Sequence, residues 1–390
     1  MKKTALIAIA LVLFAYSPLI AQDPANDEYI KAMTSNDQGE RVRLLKDWLT
    51  QYGAGHQYEN FANATICTAA YTGKTAADAI KYGEKALSIG GLDDSTKAQV
   101  LVQLASVSLQ QSPSKARDYA GQLIQAATAA KGKKEQEGQA QVWNQLIGAG
   151  YYIQAESYKK ESNAKSALDA YLQSYNILKS KEIATSLAQI GKSLYDSKDY
   201  ASAEKAFKVA VPALGDFGSV TLYAKTLHRA GKKPEALKYY KESYNKRKTG
   251  EVAYNIGLIM APQAQSNAGV AQETIQYLLD ASFLSQANSE RAMKMAEGLY
   301  FHHNPEYNRK VQEIQAKMPD LEALTKEYND KFGEKDVEDL STAEKSEMDS
   351  LWGLIEIEQK AVEKLQAEQQ AELGKFTQIV EQTKQKLGVK

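Results

Sequence analysis

Small and large apolar residues recur along this chain at helical spacing, in blocks that read as pairs of helices. The clearest block runs Leu187-x-x-Ile190-Gly191-x-x-Leu194, then Tyr200-x-x-Ala203-x-x-x-Phe207-x-x-Ala210. Steps of three and four residues put these positions on one face of each of two successive helices. The small residues Gly191, Ala203 and Ala210 stand where two backbones approach. The large ones, Leu187, Leu194, Tyr200 and Phe207, fill the space around them. A lone hairpin of this kind leaves apolar faces uncovered, so it stacks on neighbours of the same design.

The block repeats. Anchored on the small residue of each second helix, with a contact residue four on and another seven on, the sets are Ala79, Gly83, Ala86; Ala116, Ala120, Leu123; Ala167, Tyr171, Ser174; Ala203, Phe207, Ala210; Ala236, Tyr240, Ser243; and Thr274, Leu278, Ala281. Matching first helices carry Ile66-Cys67, Leu104-Ala105, Ala155, Gly191, Ala224 and Ile256-Gly257. Successive anchors lie 37, 51, 36, 33 and 38 residues apart. The pattern resembles the tetratricopeptide repeat, with its period of about 34 residues and its W-x-x-L-G-x-x-Y…A-x-x-x-F signature. The resemblance covers roughly residues 60 to 300. It implies an all-α solenoid of stacked helix hairpins and a groove that takes a protein or peptide, with no catalytic pocket.

The one long interval contains Lys131-Gly132-Lys133-Lys134-Glu135-Gln136-Glu137-Gly138, a charged, Gly-punctuated stretch that reads as a loop. Ser197-Lys198-Asp199 and Ala230-Gly231-Lys232-Lys233-Pro234 read as turns inside hairpins, with Pro234 in the first turn of the next helix. Upstream, residues 40–49 form one amphipathic helix, a capping helix or half of another repeat, with apolar positions at 42, 45, 48 and 49. Beyond Pro319 the chain turns charged, stops at Lys331-Phe332-Gly333, and restarts at a capping box, Ser341-Thr342-Ala343-Glu344. The helix from there to Leu387 has a rough seven-residue apolar rhythm, interrupted at Gln369 and Glu372. A coiled coil, a helix folded back over the last repeats and a mobile charged tail all share that pattern. The expected organisation is therefore a leader at 1–21; a capping helix with degenerate hairpins at 22–130; a hinge loop at 131–138; the central array at 139–318; and a charged helical segment at 319–390.

The start of the chain places it in the cell. Met1-Lys2-Lys3, an apolar run from Thr4 to about Tyr16, and Ser17-Pro18-Leu19-Ile20-Ala21 have the layout of a secretory signal peptide cleaved after Ala21. A periplasmic or secreted protein follows, with no membrane span once the leader is removed. Lys plus Arg and Asp plus Glu both number 48, which gives no overall field for nucleic acid. Cys67 is the only cysteine, so there is no disulfide framework, and its contact position reads as a structural thiol.

The search for chemistry is nearly empty. No phosphate loop, nucleophile elbow or H-E-x-x-H stretch is present. His302-His303 with Glu306 could be drawn as a metal site, but adjacent histidines on a helix point about 100° apart. No enzyme, metal or cofactor is expected. The 23 Tyr serve mainly as packing residues. By the repeat register, the groove face carries Tyr152 and Lys159, then Lys192 and Tyr195, then Lys225, His228 and Arg229, then Tyr254. That aromatic and basic set suits an extended peptide or a helix with acidic or C-terminal carboxylate groups. The reading is a non-enzymatic periplasmic adaptor, and the resemblance implies a place in cell-envelope assembly. A self-assembling envelope component, oligomerising through 341–387, is the alternative.

Overall fold

The structure, a computed structural model, describes residues 23–70 and 72–389; the leader segment lies outside them. All regular elements among these residues are helical. The chain divides into two compact units, Met1–Leu187 and Ala188–Lys390.

Four hairpins make the first unit: α1 (Pro24–Thr34) with α2 (Gln38–Gln51), α3 (Glu59–Thr68) with α4 (Ala76–Ile89), α5 (Asp94–Gln111) with α6 (Pro113–Lys131), and α7 (Ala140–Lys160) with α8 (Ala164–Leu178). Side-chain caps start many of the helices, as at Asp37, Thr75, Asp93 and Asn163, which satisfies backbone N–H groups with no helical partner. Of the two readings of the 40–49 helix, half of a full hairpin is the one observed. Val42, Leu45 and Trp48 of α2 are buried as their spacing requires. The partner α1 contributes mainly Ala25 and Ala32, and Trp48 Nε1 donates to the Ala25 carbonyl at 2.7 Å. Two alanines leave too faint an apolar stripe to read in advance.

The long interval between the second and third anchors also has a physical origin. Part of it is a 3-10 turn at Lys134–Gln139. The rest lengthens the helices on either side, where Trp143 and Ile147 of α7 pack on Leu123, Ala127 and Ala130 of α6.

Residue Lys181 begins α9 (Lys181–Asp196), which leads into the second unit. There follow α10 (Tyr200–Leu214), α11 (Phe217–Arg229) with α12 (Lys233–Lys246), α13 (Gly250–Ala264) with α14 (Ala268–Leu284), α15 (Ser289–His302), and the hairpin of α16 (Pro305–Phe332) and α17 (Thr342–Leu387). All eighteen residues of the six anchor sets are buried. Contact between helices is as tight as the small residues suggest. A Cβ on Gly191 would stand 3.0 Å from Phe207, and one on Gly257 would stand 2.5 Å from Leu278. In both hairpins the glycine receives the large residue four past the anchor.

Turns within hairpins share one solution. Ser162, Lys198 and Gly231 take left-handed φ of 59°, 65° and 80°. The following residues donate their N–H to the carbonyls of Tyr158, Leu194 and Leu227, each at 2.9 Å. This closes the helix end by a six-to-one hydrogen bond. Gly231 suits the left-handed geometry best, because it has no Cβ to clash.

The capping box forms at Ser341–Glu344. The long helix α17 folds back along α16. Lys317 meets Glu358 and Lys331 meets Glu347, both at 2.7 Å, Lys310 meets Glu368, and Asn304 donates to Glu372 at 3.1 Å. Partner numbers fall on one helix as they rise on the other, so the two run antiparallel. The seven-residue seam of Leu351, Ile355, Val362, Phe376 and Thr383 is buried within the chain. Its interruption at Glu372 is filled by Asn304. Near its end α17 also meets α14, where Gln276 Nε2 and Thr383 Oγ1 are 3.4 Å apart. Of the arrangements the sequence left open, the helix that folds back is the one observed.

Candidate functional site

In the second unit, α11 and α13 present consecutive first-helix faces, and the tip of α9 joins them. The aromatic base of this surface is Tyr240 of α12, fully buried at 1 % exposure. The His228 ring meets the Tyr240 ring edge-on at 5.9 Å. Burial pushes the Tyr240 hydroxyl well above the usual tyrosine range. Tyr195 and Glu251 push it the same way, and Arg229 opposes them. Tyr195, Glu251, Arg229 and His228 thus converge on one side chain, although they come from three helices. The Tyr195 ring also leans on Tyr200 at 5.6 Å.

Charge on this face differs from the basic surface expected. Lys192 is ion-paired with Asp196 at 2.5 Å, and Lys225 with Glu251 at 2.6 Å. The His228 pKa lies below the ordinary histidine value, first through burial and then through the nearby Lys233 and Arg229 charges. His228 is therefore a neutral ring at neutral pH. Arg229 is exposed and has no ion-pair partner among the described residues. The net picture is one open guanidinium beside two half-buried rings, flanked by the exposed Lys192–Asp196 pair and by half-buried Lys225 paired with exposed Glu251. Such pairs are worth about 0–1 kcal/mol each, so an incoming carboxylate can exchange into them at small cost.

Tyr254 does not line this surface as an open ring. It is 7 % exposed, and its hydroxyl is buried with no hydrogen-bond partner among the described residues. Its ring is taken up by packing, so it does not serve the groove face expected for it.

The first unit carries Tyr152 and Lys159. Tyr152 is half-buried, with its ring 6.0 Å from that of Tyr171. Burial first, and then the Glu156 charge, raise its pKa. Glu156 accepts the Tyr171 hydroxyl and lies 3.7 Å from Lys159. The lysine and tyrosine here surround a carboxylate already engaged by the hairpin core.

Sequence reasoning missed Asp196 and Glu251. Asp196 was within reach, since it stands four residues after Lys192 on one helix, the spacing of a helical ion pair. Glu251 belongs to the next hairpin, and only the stacking brings it to Lys225.

Elsewhere the chemistry is structural. His302 and His303 reach the Gln265 and Ala264 carbonyls at 3.0 and 2.6 Å, at the C-terminal end of α13. They cap carbonyls that have no helical partner. No group of three or more His, Cys, Asp or Glu positioned for a metal occurs among the described residues. Cys67 is buried, and its thiol is pushed up to about 11 by burial, with Lys74 opposing. No helix among the described residues is long and apolar enough to cross a membrane.

No family model matches the chain, and no curated protein matches it. Solved structures are similar to it. A tetratricopeptide repeat protein from Parabacteroides merdae ATCC 43184 is 12 % identical, with 70 % of this chain and 98 % of that one covered and a TM-score of 0.34. The MamA protein is 16 % identical, with 44 % and 82 % covered and a TM-score of 0.30. Yeast Tom70 is 12 % identical, with 77 % and 69 % covered and a TM-score of 0.30. At such low identities and scores these likenesses say nothing of partner or activity, and the fold rests on the helices themselves. Among the described residues, six successive hairpins with buried small-residue anchors, two of them with a glycine against the large residue four past the anchor and three with one shared turn geometry, give an all-α fold of tetratricopeptide-like helix hairpins.

Proposed function

We propose that this protein is a non-enzymatic scaffold that holds a protein or peptide partner on the Tyr195–His228–Arg229 face. The observation that carries the reading is the Arg229 guanidinium, exposed and without a counterion among the described residues, beside rings held by the hairpin packing. A partner would bring an acidic side chain or a C-terminal carboxylate to Arg229 and lay apolar groups on Tyr195 and His228. Arginine next to aromatic side chains is the usual composition of an interface hot spot. Extended peptides with free and with amidated C termini, acidic and neutral, test this by fluorescence anisotropy on the chain from Gln22. An acidic or free-carboxylate peptide should bind, and Arg229→Glu with Tyr195→Ala should weaken it at least tenfold, about 1.4 kcal/mol. Binding unchanged by that double substitution would remove this face from the reading.

We further propose export to the periplasm and a role in envelope assembly. Support for export comes from the order of charge, apolar run and small residues over 1–21, and the envelope role rests on the resemblance alone. Edman sequencing of chain recovered from the periplasmic fraction should begin at Gln22. Recovery only from the cytosolic fraction, with Met1 retained, would overturn export.

A further inference from the structure

The outward face of the second helices changes along the second unit. Two and five residues past the anchors Ala203 and Ala236 stand Lys205, Lys208, Lys238 and Lys241. The first three are exposed and have no ion pair among the described residues; Lys241 is held by Glu273 at 2.8 Å. In the next repeat the same two positions are Gln276 and Leu279. Leu279 is buried, and Gln276 lies in hydrogen-bond contact with Thr383 of α17. One face of the repeat design is thus covered in α14 by the chain's own C-terminal hairpin, and in α10 and α12 it is left open and basic. From Lys198 to Lys248 the chain holds 12 Lys and Arg against 5 Asp and Glu.

The opposite charge sits at the far end of that same hairpin. Residues 320–349, around the elbow between α16 and α17, hold 11 Asp and Glu against 4 Lys. Lys331 and Lys335 are spent inside the elbow on Glu327, Glu347 and Glu344. Asp336, Glu338 and Asp339 are exposed and have no ion pair among the described residues, and Val337 beside them is 56 % exposed. Helix α16 has 28 residues, which carries the elbow about 42 Å along the hairpin from its first turn. No ion pair joins the elbow to α10 or α12 of its own chain among the described residues.

We propose that the open lysine face of α10 and α12 docks the acidic elbow of a second copy of this chain. Two arguments favour that occupant. The charges are complementary, and the α16–α17 hairpin already covers this same face on α14. The contact is between two different surfaces, so it leaves one of each free and propagates head to tail, without closing as a two-fold dimer. It uses neither Arg229 nor Tyr195, and stands or falls apart from the peptide reading.

Sedimentation velocity on the chain from Gln22 tests it at about 0.01 M and about 1 M salt, where the screening length is about 30 and about 3 Å. Species larger than the monomer should grow with concentration at low salt and vanish at high salt. Lys205→Glu/Lys208→Glu/Lys238→Glu should be monomeric, because face and elbow are then both acidic. Asp336→Lys/Glu338→Lys/Asp339→Lys should be monomeric, because both are then basic. An equimolar mixture of the two variants should associate again, since each face meets the other's elbow. That recovery also shows that both variants are folded. A monomer under every condition, association that survives either reversal, or a mixture that stays monomeric overturns the proposal. So does a wild-type monomer whose lysine face instead binds phosphatidylglycerol vesicles.

Discussion

Phe207→Ala should lower the free energy of unfolding by about 3–5 kcal/mol, the range for deleting a fully buried aromatic ring. The cost has two sources here. The ring is 0 % exposed, so its whole transfer free energy is lost. The hole also resists collapse, because its walls belong to different helices. Gly191 of α9 offers no side chain to move in, and Tyr223 of α11 faces the ring at 6.3 Å. Tyr200, on the same helix but half-buried, is the control. Tyr200→Ala should cost clearly less, since part of its ring is in water in both states. Guanidinium unfolding followed by circular dichroism measures both. A loss below about 1 kcal/mol for Phe207→Ala would mean that the glycine–aromatic contact is not a fixed part of the core.

That contact was legible in the chain before any coordinates. A small residue at a helix crossing and a large one four positions later leave a direct trace, because backbone proximity tolerates few alternatives. The same holds for the turns, where Ser197-Lys198-Asp199 and Gly231 mark a left-handed residue followed by a new helix. The cap at Ser341 and Glu344 is likewise a local exchange of hydrogen bonds. What escaped has a different physics. Helix α1 buries two alanines, which are common on any helix and carry no distinctive period. Glu251 neutralises Lys225 from the next hairpin, and the neutral state of His228 follows from burial and from Lys233, which begins the next helix. A surface read one helix at a time shows its lysines and omits the carboxylates that stacking delivers to them. The seam of α17 posed the same problem. Glu372 breaks its apolar rhythm, and the carboxylate is tolerated there because Lys375 pairs with it at 2.6 Å and the Asn304 amide, at the N-cap of α16, donates to it.

Tyr244→Phe should cost about 1.5–3 kcal/mol, more than a surface hydrogen bond, because the acceptor is a carboxylate with few alternatives. Asp280 is 6 % exposed. It accepts the Tyr244 hydroxyl from α12 and the Gln276 Nε2 amide, the latter at 2.8 Å. Burial first, and then the bond to Asp280, raise the Tyr244 pKa far above the ordinary value, so the hydroxyl keeps its proton to donate. Removing the hydroxyl leaves a buried carboxylate with one donor fewer and little contact with water. The penalty comes from that stranded charge more than from the bond itself. The substitutions should therefore be non-additive. Asp280→Leu removes the charge, and Tyr244→Phe/Asp280→Leu should be less destabilised than the two single losses added together. A double-mutant cycle by guanidinium unfolding reads this directly. Additive losses, or a Tyr244→Phe change within about 0.5 kcal/mol, would show that Asp280 finds another partner or water. A coupling energy of the expected size would make this carboxylate the tie between consecutive hairpins. Gln276 touches both Asp280 and Thr383 of α17, so the same change should also loosen the C-terminal hairpin, and amide exchange along α17 should then rise beside Thr383 before it rises at the elbow.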